Sequence, residues 1–406
     1  MLNVKWTGNH LTFRNSKFNI MYYHALGKIP HKRHTVFRRE DGELYTEELF
    51  GAEGFHGNSS LLYHHNMPTR VVKIEEGAKV EVKKADERTL RHRLLKTKDV
   101  PAGGDPITGR KVLMFNNDIQ IGVARPTDGM DYFYRNGEHD ELLFIHEGEG
   151  HIQSVFGRLD FGWGDYIYMP RGTTYQINFE TEEARYLFAD STGPIDFPKR
   201  YLSEMGQFME NSPFCERDFR LPSEQLFFPE EGEFEIRIKK GGRFHHYTVD
   251  YHPCDVVGWD GYLYPWIFNI RDFEPITGRI HQPPPVHQTF RGHNYVVCSF
   301  CPRKFDYHPD SIPAPYNHSN VDSDEMIYYV EGDFMSRKGI GYADITLHPG
   351  GIPHGPQPGK AEASIGAEET DEYAVMIDTF HPMYVTEEAM RLDDPSYPYS
   401  WLEDEQ

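Results

Sequence analysis

His318-Ser-Asn320-Val-Asp-Ser-Asp-Glu325-Met-Ile-Tyr-Tyr-Val-Glu-Gly332, followed by Pro349-Gly-Gly351-Ile-Pro-His354, is the stretch whose reading decides the fold. His318 and Asn320 are two residues apart, so on a strand both point to one face. Glu325 opens an apolar run, Met-Ile-Tyr-Tyr-Val, with the alternating or near-continuous pattern of a half-buried strand. Two histidines and one carboxylate form the ligand set that holds non-haem Fe(II) on one face and leaves positions open for a substrate and O2. His318, Glu325 and His354 are therefore the expected metal ligands, and oxygen chemistry is the expected use.

The order and spacing, His-x-Asn-x4-Glu-x6-Gly and then Pro-x-Gly-x2-His, resemble the two motifs of the cupin β-barrel, whose ligands point inward from neighbouring strands of a jelly roll. A degraded copy lies upstream. Tyr134-Arg-Asn136-Gly-Glu-His-Asp-Glu141 is followed after six residues by Gly148, and Pro170-Arg-Gly172-Thr-Thr-Tyr175 repeats the second motif. Tyr134 and Tyr175 stand where His318 and His354 stand, so the upstream barrel keeps its scaffold and loses two of three ligands. A duplication of this kind fixes the architecture before any single element does. The expected fold is mainly β: two cupin/jelly-roll β-barrels, a bicupin, with an N-terminal β-rich extension.

The expected division is residues 1–220, with a metal-free barrel at about 115–190, and residues 221–406, with a connecting arm and a metal-binding barrel at about 255–380. A chain of 406 residues can bury two cores of ordinary size. Its 25 Tyr, 27 Phe, 36 Gly and 28 Pro suit many short strands joined by tight turns. With 42 basic against 63 acidic residues the formal charge is −21, which argues against nucleic acid and anionic membrane partners. The four cysteines are too few for a secreted disulfide framework, and Cys298 and Cys301 would face opposite sides of one strand. The start, Met-Leu-Asn-Val-Lys-Trp, has no apolar signal core, so a cytoplasmic location is expected.

Beyond the two motifs, the chain resembles the homogentisate 1,2-dioxygenase family. The resemblance rests on Tyr45-Thr-Glu-Glu-Leu-Phe-Gly-Ala-Glu-Gly-Phe55, Ser59-Ser-Leu-Leu-Tyr63, Pro170-Arg-Gly-Thr173, Tyr251-His-Pro-Cys-Asp-Val-Val-Gly-Trp259, Pro315-Tyr-Asn-His318 and Pro353-His354-Gly-Pro356. It implies Fe(II)-dependent cleavage of homogentisate with O2 to maleylacetoacetate, in tyrosine and phenylalanine breakdown, by a homo-oligomer built as a trimer or hexamer. It also implies a general base in His281-Gln-Pro-Pro-Pro-Val-His287, with His281 the first choice and His287 the reserve. Tyr316 resembles the tyrosine that borders the family's substrate pocket, Asn320 is placed to hydrogen-bond substrate or O2, and Arg337 falls where the family has a basic residue suited to a carboxylate. One position departs: the family has a tyrosine two residues past the glycine, and this chain has Phe334, which removes a hydroxyl from the expected substrate contacts.

Two other readings stay open on sequence. A dioxygenase of the same fold acting on another para-dihydroxylated acid, such as gentisate, would share the metal set. A Mn2+ or Zn2+ isomerase or decarboxylase would more commonly use three histidines with one carboxylate, which Asn320 disfavours.

Overall fold

A computed structural model describes residues 23–332, 334 and 339–402, and it is built almost wholly of strands. The period-two rule sorts the side chains of each strand onto two cores. In Asp140–Glu147, Leu143 and Ile145 point into the first barrel while Leu142 and Phe144 point out of it. In Arg185–Ser191, Tyr186 and Phe188 point inward and Leu187 and Ala189 outward. Both faces are apolar because the outward face is buried too, against the second barrel.

The second barrel answers in kind. From the strand Asp324–Glu331, Met326, Tyr328 and Val330 join the same shared core, whereas Ile327 and Tyr329 line the interior of their own barrel. Glu325 is in phase with Ile327 and Tyr329, so the strand itself aims this carboxylate into the barrel. Across the shared core Tyr166 Oη and Ser299 Oγ lie 2.8 Å apart, and His146 Nδ1 and Tyr328 Oη 2.5 Å apart. Each large apolar side chain buried there contributes about 2 kcal/mol, and these polar pairs satisfy hydroxyls and a ring nitrogen that burial removes from water.

The halves also exchange strands across residue 220. Arg93–Leu95 forms an edge of the second barrel against Ile345–His348, and Tyr384–Val385 returns to pair with Lys111–Phe115 of the first. Val256–Gly261 joins Ser59–His64 in a four-stranded N-terminal sheet, and Trp266–Asn269 extends the first barrel beside Asp165–Met169. The second barrel's own strands therefore begin at Gln288, not near 255. The segment expected to be a connecting arm contains two paired strands, Glu231–Lys239 and Arg243–Tyr251. Its charge density hides the alternation of Phe234, Ile236 and Ile238, which pack on one face with Val249 and Tyr251.

Gly148 and Gly332 close the first motif of each barrel in the same way. They have φ of +94° and +110°, and a Cβ would meet Glu183 O at 2.8 Å and Glu372 Cα at 2.7 Å respectively. Neither the backbone angle nor the space admits a larger residue. Among the described residues no helix is long and apolar enough to cross a membrane.

Candidate metal centre

His318 and His354 come together through a reciprocal backbone pair: His318 N donates to His354 O at 2.8 Å and His354 N to His318 O at 2.9 Å. Residues paired this way present their side chains on one face, and the two imidazole centroids are 4.3 Å apart. Glu325 approaches from the adjoining strand, with Oε2 3.7 Å from His318 Nε2 and Oε1 3.3 Å from His354 Nε2. One ligand atom from each of the three residues lies within 4.8 Å of the others. His318 Nδ1 is 3.3 Å from the Tyr316 carbonyl, which leaves Nε2 turned toward the carboxylate.

Three features fit this group to a metal ion. The donors are two imidazoles and a carboxylate, as non-haem iron requires. His354 is buried, yet neither of its ring nitrogens has a hydrogen-bond partner, a cost that a ligated ion removes. Burial alone would raise the Glu325 carboxyl, but His318, His348 and His354 outweigh it and hold Glu325 well below the usual carboxylate range. It is thus ionised, as a ligand must be. The His318 side chain is 30% exposed while His354 is fully covered, so the centre opens on the His318 side.

Tyr316 and His281 stand at that opening. Tyr316 is exposed, its ring 6.4 Å from His318 and 5.1 Å from His281. His281 is half exposed, with Nδ1 3.4 Å from Asp306 Oδ2. Asp306 is itself held, accepting from Gly278 N at 3.1 Å and Gln282 N at 2.7 Å. His287 lies elsewhere. It is buried against Phe300 at 4.8 Å, and burial, aided by Arg303, pushes its imidazole down to about 3. So weak a base is poorly matched to proton abstraction near neutrality.

One expected substrate contact is placed differently by the structure. Phe334 packs on Tyr329 at 4.6 Å in an apolar cluster with Ala374. Tyr329 is four residues beyond Glu325 on the same strand, about 13 Å along the chain, so Phe334 sits at the apolar end of the barrel and not beside the ligands. The Asn320 carbonyl accepts from Gly351 N at 2.7 Å, and in the first barrel Asn136 accepts from Gly172 N at 2.8 Å. The two barrels share this backbone contact, which does not involve the Asn320 side chain. Arg337 and the opening residues 1–22 lie outside the described residues.

The motifs missed two groups beside the centre. His348, directly opposite Glu325 in the strand register, is fully buried with Nδ1 2.8 Å from Glu325 Oε1. Asp378 is the partner of Glu325 on the other neighbouring strand, and burial together with the Glu325 charge pushes its carboxyl up to about 8. A polar residue ending an otherwise apolar strand, as in Ile-Thr-Leu-His348, was the available signal.

In the first barrel Tyr134 and Tyr175 are register partners, as His318 and His354 are in the second. Glu141 keeps the place of Glu325, but its neighbours are Arg110 Nη1 at 2.5 Å on Oε1 and the Tyr175 hydroxyl at 2.8 Å on Oε2. Burial works against the Arg110 charge, and Tyr186, Glu141 and Tyr175 more than offset it. A guanidinium thus supplies the positive charge that a metal ion held by His318, Glu325 and His354 would supply in the other barrel.

Residues 106–270 match the family model described as homogentisate 1,2-dioxygenase N-terminal. A provisionally named dioxygenase of Saccharolobus solfataricus is 44% identical over 385 residues, covering 94% of this chain and 99% of its own. A homogentisate 1,2-dioxygenase of Rhodopseudomonas palustris is 26% identical over 279 residues, covering 64% of this chain and 61% of its own, so the match spans less than two thirds of that relative. A solved structure from Leptotrichia buccalis, described as a cupin 2 conserved barrel domain protein, covers 76% of this chain and 100% of its own at 8% identity and a TM-score of 0.30. That likeness is too slight to add to the strand pairing above. Joined to one relative over nearly its whole length and to the family model through its first barrel, the chain belongs to the homogentisate 1,2-dioxygenase family of metal-dependent oxygenases.

Proposed function

We propose that the protein is an Fe(II)-dependent dioxygenase that opens the ring of homogentisate with O2 to give maleylacetoacetate, in tyrosine and phenylalanine breakdown. The observation that carries the reading is the buried His354, whose ring nitrogens make no well-formed hydrogen bond, grouped with an ionised Glu325 and His318 at a centre open on one side. Relatives named homogentisate 1,2-dioxygenase supply the substrate.

Bound Fe(II) supplies Lewis acidity toward the ring hydroxyl and electrons toward O2. His318, Glu325 and His354 hold it and leave the His318 side free for the ring. Tyr316 borders that side and presents an aromatic face to the substrate. His281 takes the hydroxyl proton at Nε2, because Nδ1 faces Asp306, whose carboxylate stabilises the imidazolium that forms. Arg337 is placed here only by resemblance, as a cation for the acetate arm. Exposed Tyr307, Ile312 and Val321 lie in the same stretch of chain as His318, and exposed apolar side chains are what subunit contact covers, which supports a homo-oligomer.

The test is O2 uptake by protein loaded anaerobically with Fe(II) and offered homogentisate, gentisate or catechol. Rapid uptake with homogentisate alone is expected, and His281→Ala should lower kcat by about a hundredfold or more while His287→Ala does not. Uptake with gentisate alone would move the substrate, and no uptake by iron-loaded protein would sink the oxygenase reading.

A further inference from the structure

Beside the ligands lies a buried layer that belongs to neither motif. His348 touches Glu325 through Nδ1, and its Nε2 lies 3.1 Å from the Tyr397 hydroxyl. The chemistry of the chain orders its protons. An ionised carboxylate only accepts, so the hydrogen of a neutral His348 sits on Nδ1; Nε2 is then an acceptor and the Tyr397 hydroxyl donates. The His348 ring stacks on His354, with centroids 4.5 Å apart and planes 19° apart, and lies within 23° of the Tyr397 ring plane. One side chain therefore meets one metal ligand by hydrogen bond and another by its face.

Tyr397 is 2% exposed, in a segment clamped onto the same layer. Trp401 packs on Tyr397 at 5.3 Å and on His92 at 5.5 Å, and His92 Nε2 is 3.1 Å from the carbonyl of Pro353, next to His354. Gln357 Nε2 donates to Ser400 Oγ at 2.5 Å, tying the loop after His354 to the same segment. These contacts tie the 397–401 segment to the residues around the second motif, and the polar path to Glu325 that they outline runs through the Tyr397 hydroxyl and His348.

We propose that Tyr397 is a positioning residue of the metal centre: its hydroxyl, 3.1 Å from His348 Nε2, fixes the His348 ring against His354 and so keeps Nδ1 on Glu325. The inference rests on the metal-centre reading above. Without the hydroxyl the ring loses its contact at the end opposite Glu325, and its hold on the carboxylate loosens. Partners that orient ligands in this way affect metal affinity strongly.

Tyr397→Phe keeps the ring and removes the hydroxyl. In metal-free protein carrying nitrogen-labelled histidine, NMR should show a slowly exchanging ring hydrogen on His348, and faster exchange of that hydrogen in Tyr397→Phe. With Co(II) as a spectroscopic probe, the variant should bind about tenfold more weakly with a changed visible spectrum, at an unchanged melting temperature. In a His348→Gln background, where there is no ring to hold, adding Tyr397→Phe should change Co(II) affinity no further. Wild-type exchange and affinity in Tyr397→Phe would overturn the proposal, as would a loss of affinity that only tracks a fall in melting temperature. Wild-type protein that takes up no Co(II) would instead overturn the metal centre itself, and this inference with it.

Discussion

His354→Ala removes metal binding and oxygen uptake together. The side chain is buried, its nitrogens make no well-formed hydrogen bond, with Nε2 3.3 Å from the Glu325 carboxylate, and the reciprocal backbone pair with His318 survives the substitution. What remains is one imidazole that is 30% exposed and one carboxylate, a poor site for Fe(II). Loss of an outer-shell partner commonly costs about 10–100-fold in affinity, so loss of a direct ligand should exceed about a hundredfold. Equilibrium dialysis against Fe(II), with a melting curve beside it, separates this from unfolding. A variant that melts as the wild type and keeps a full complement of iron would remove His354 from the centre.

The second large effect lies in the barrel without the histidines. Arg110→Met leaves Glu141 buried and facing only the Tyr175 hydroxyl, in a cluster where both ionic side chains are almost fully covered. Breaking a buried pair by removing one partner costs roughly 3–5 kcal/mol, because the other charge is left uncompensated. Urea unfolding should report a loss of that order. The double variant Arg110→Met with Glu141→Leu should recover most of it, since the uncompensated charge is then absent. A single variant as stable as the wild type, or a double variant no better than the single, would show that Arg110 does not replace the metal's charge. Arg110 Nη1 also lies 3.6 Å from Asp190 Oδ1, and Asp190 keeps Lys239 as its partner at 2.8 Å in both variants.

Much of the centre was legible because strand periodicity and motif spacing are local. Glu325 faces inward for the same reason that Ile327 and Tyr329 do, and that phase can be read from seven consecutive residues. The duplicated barrels were legible through repeated spacings, down to the glycines that close each first motif. Arg110 was not, because it reaches Glu141 from 31 residues away and only strand pairing brings them together. His348 was hidden likewise, since its meaning comes from lying opposite Glu325 in the register. Sequence left His281 and His287 as first choice and reserve; burial separates them, the first at the open rim and the second driven down to about 3 inside. The strand exchange across residue 220 was illegible, because a short edge strand such as Arg93–Leu95 carries no periodic signal of its own.

The central claim is that this centre inserts both atoms of O2 while opening an aromatic ring. Its most direct test is mass spectrometry of the product formed from homogentisate under heavy-isotope O2 by the Fe(II)-loaded protein. The account predicts maleylacetoacetate with both labelled atoms incorporated and the ring open. A product with an intact ring, or with one labelled atom from O2 and the other oxygen from water, would contradict it.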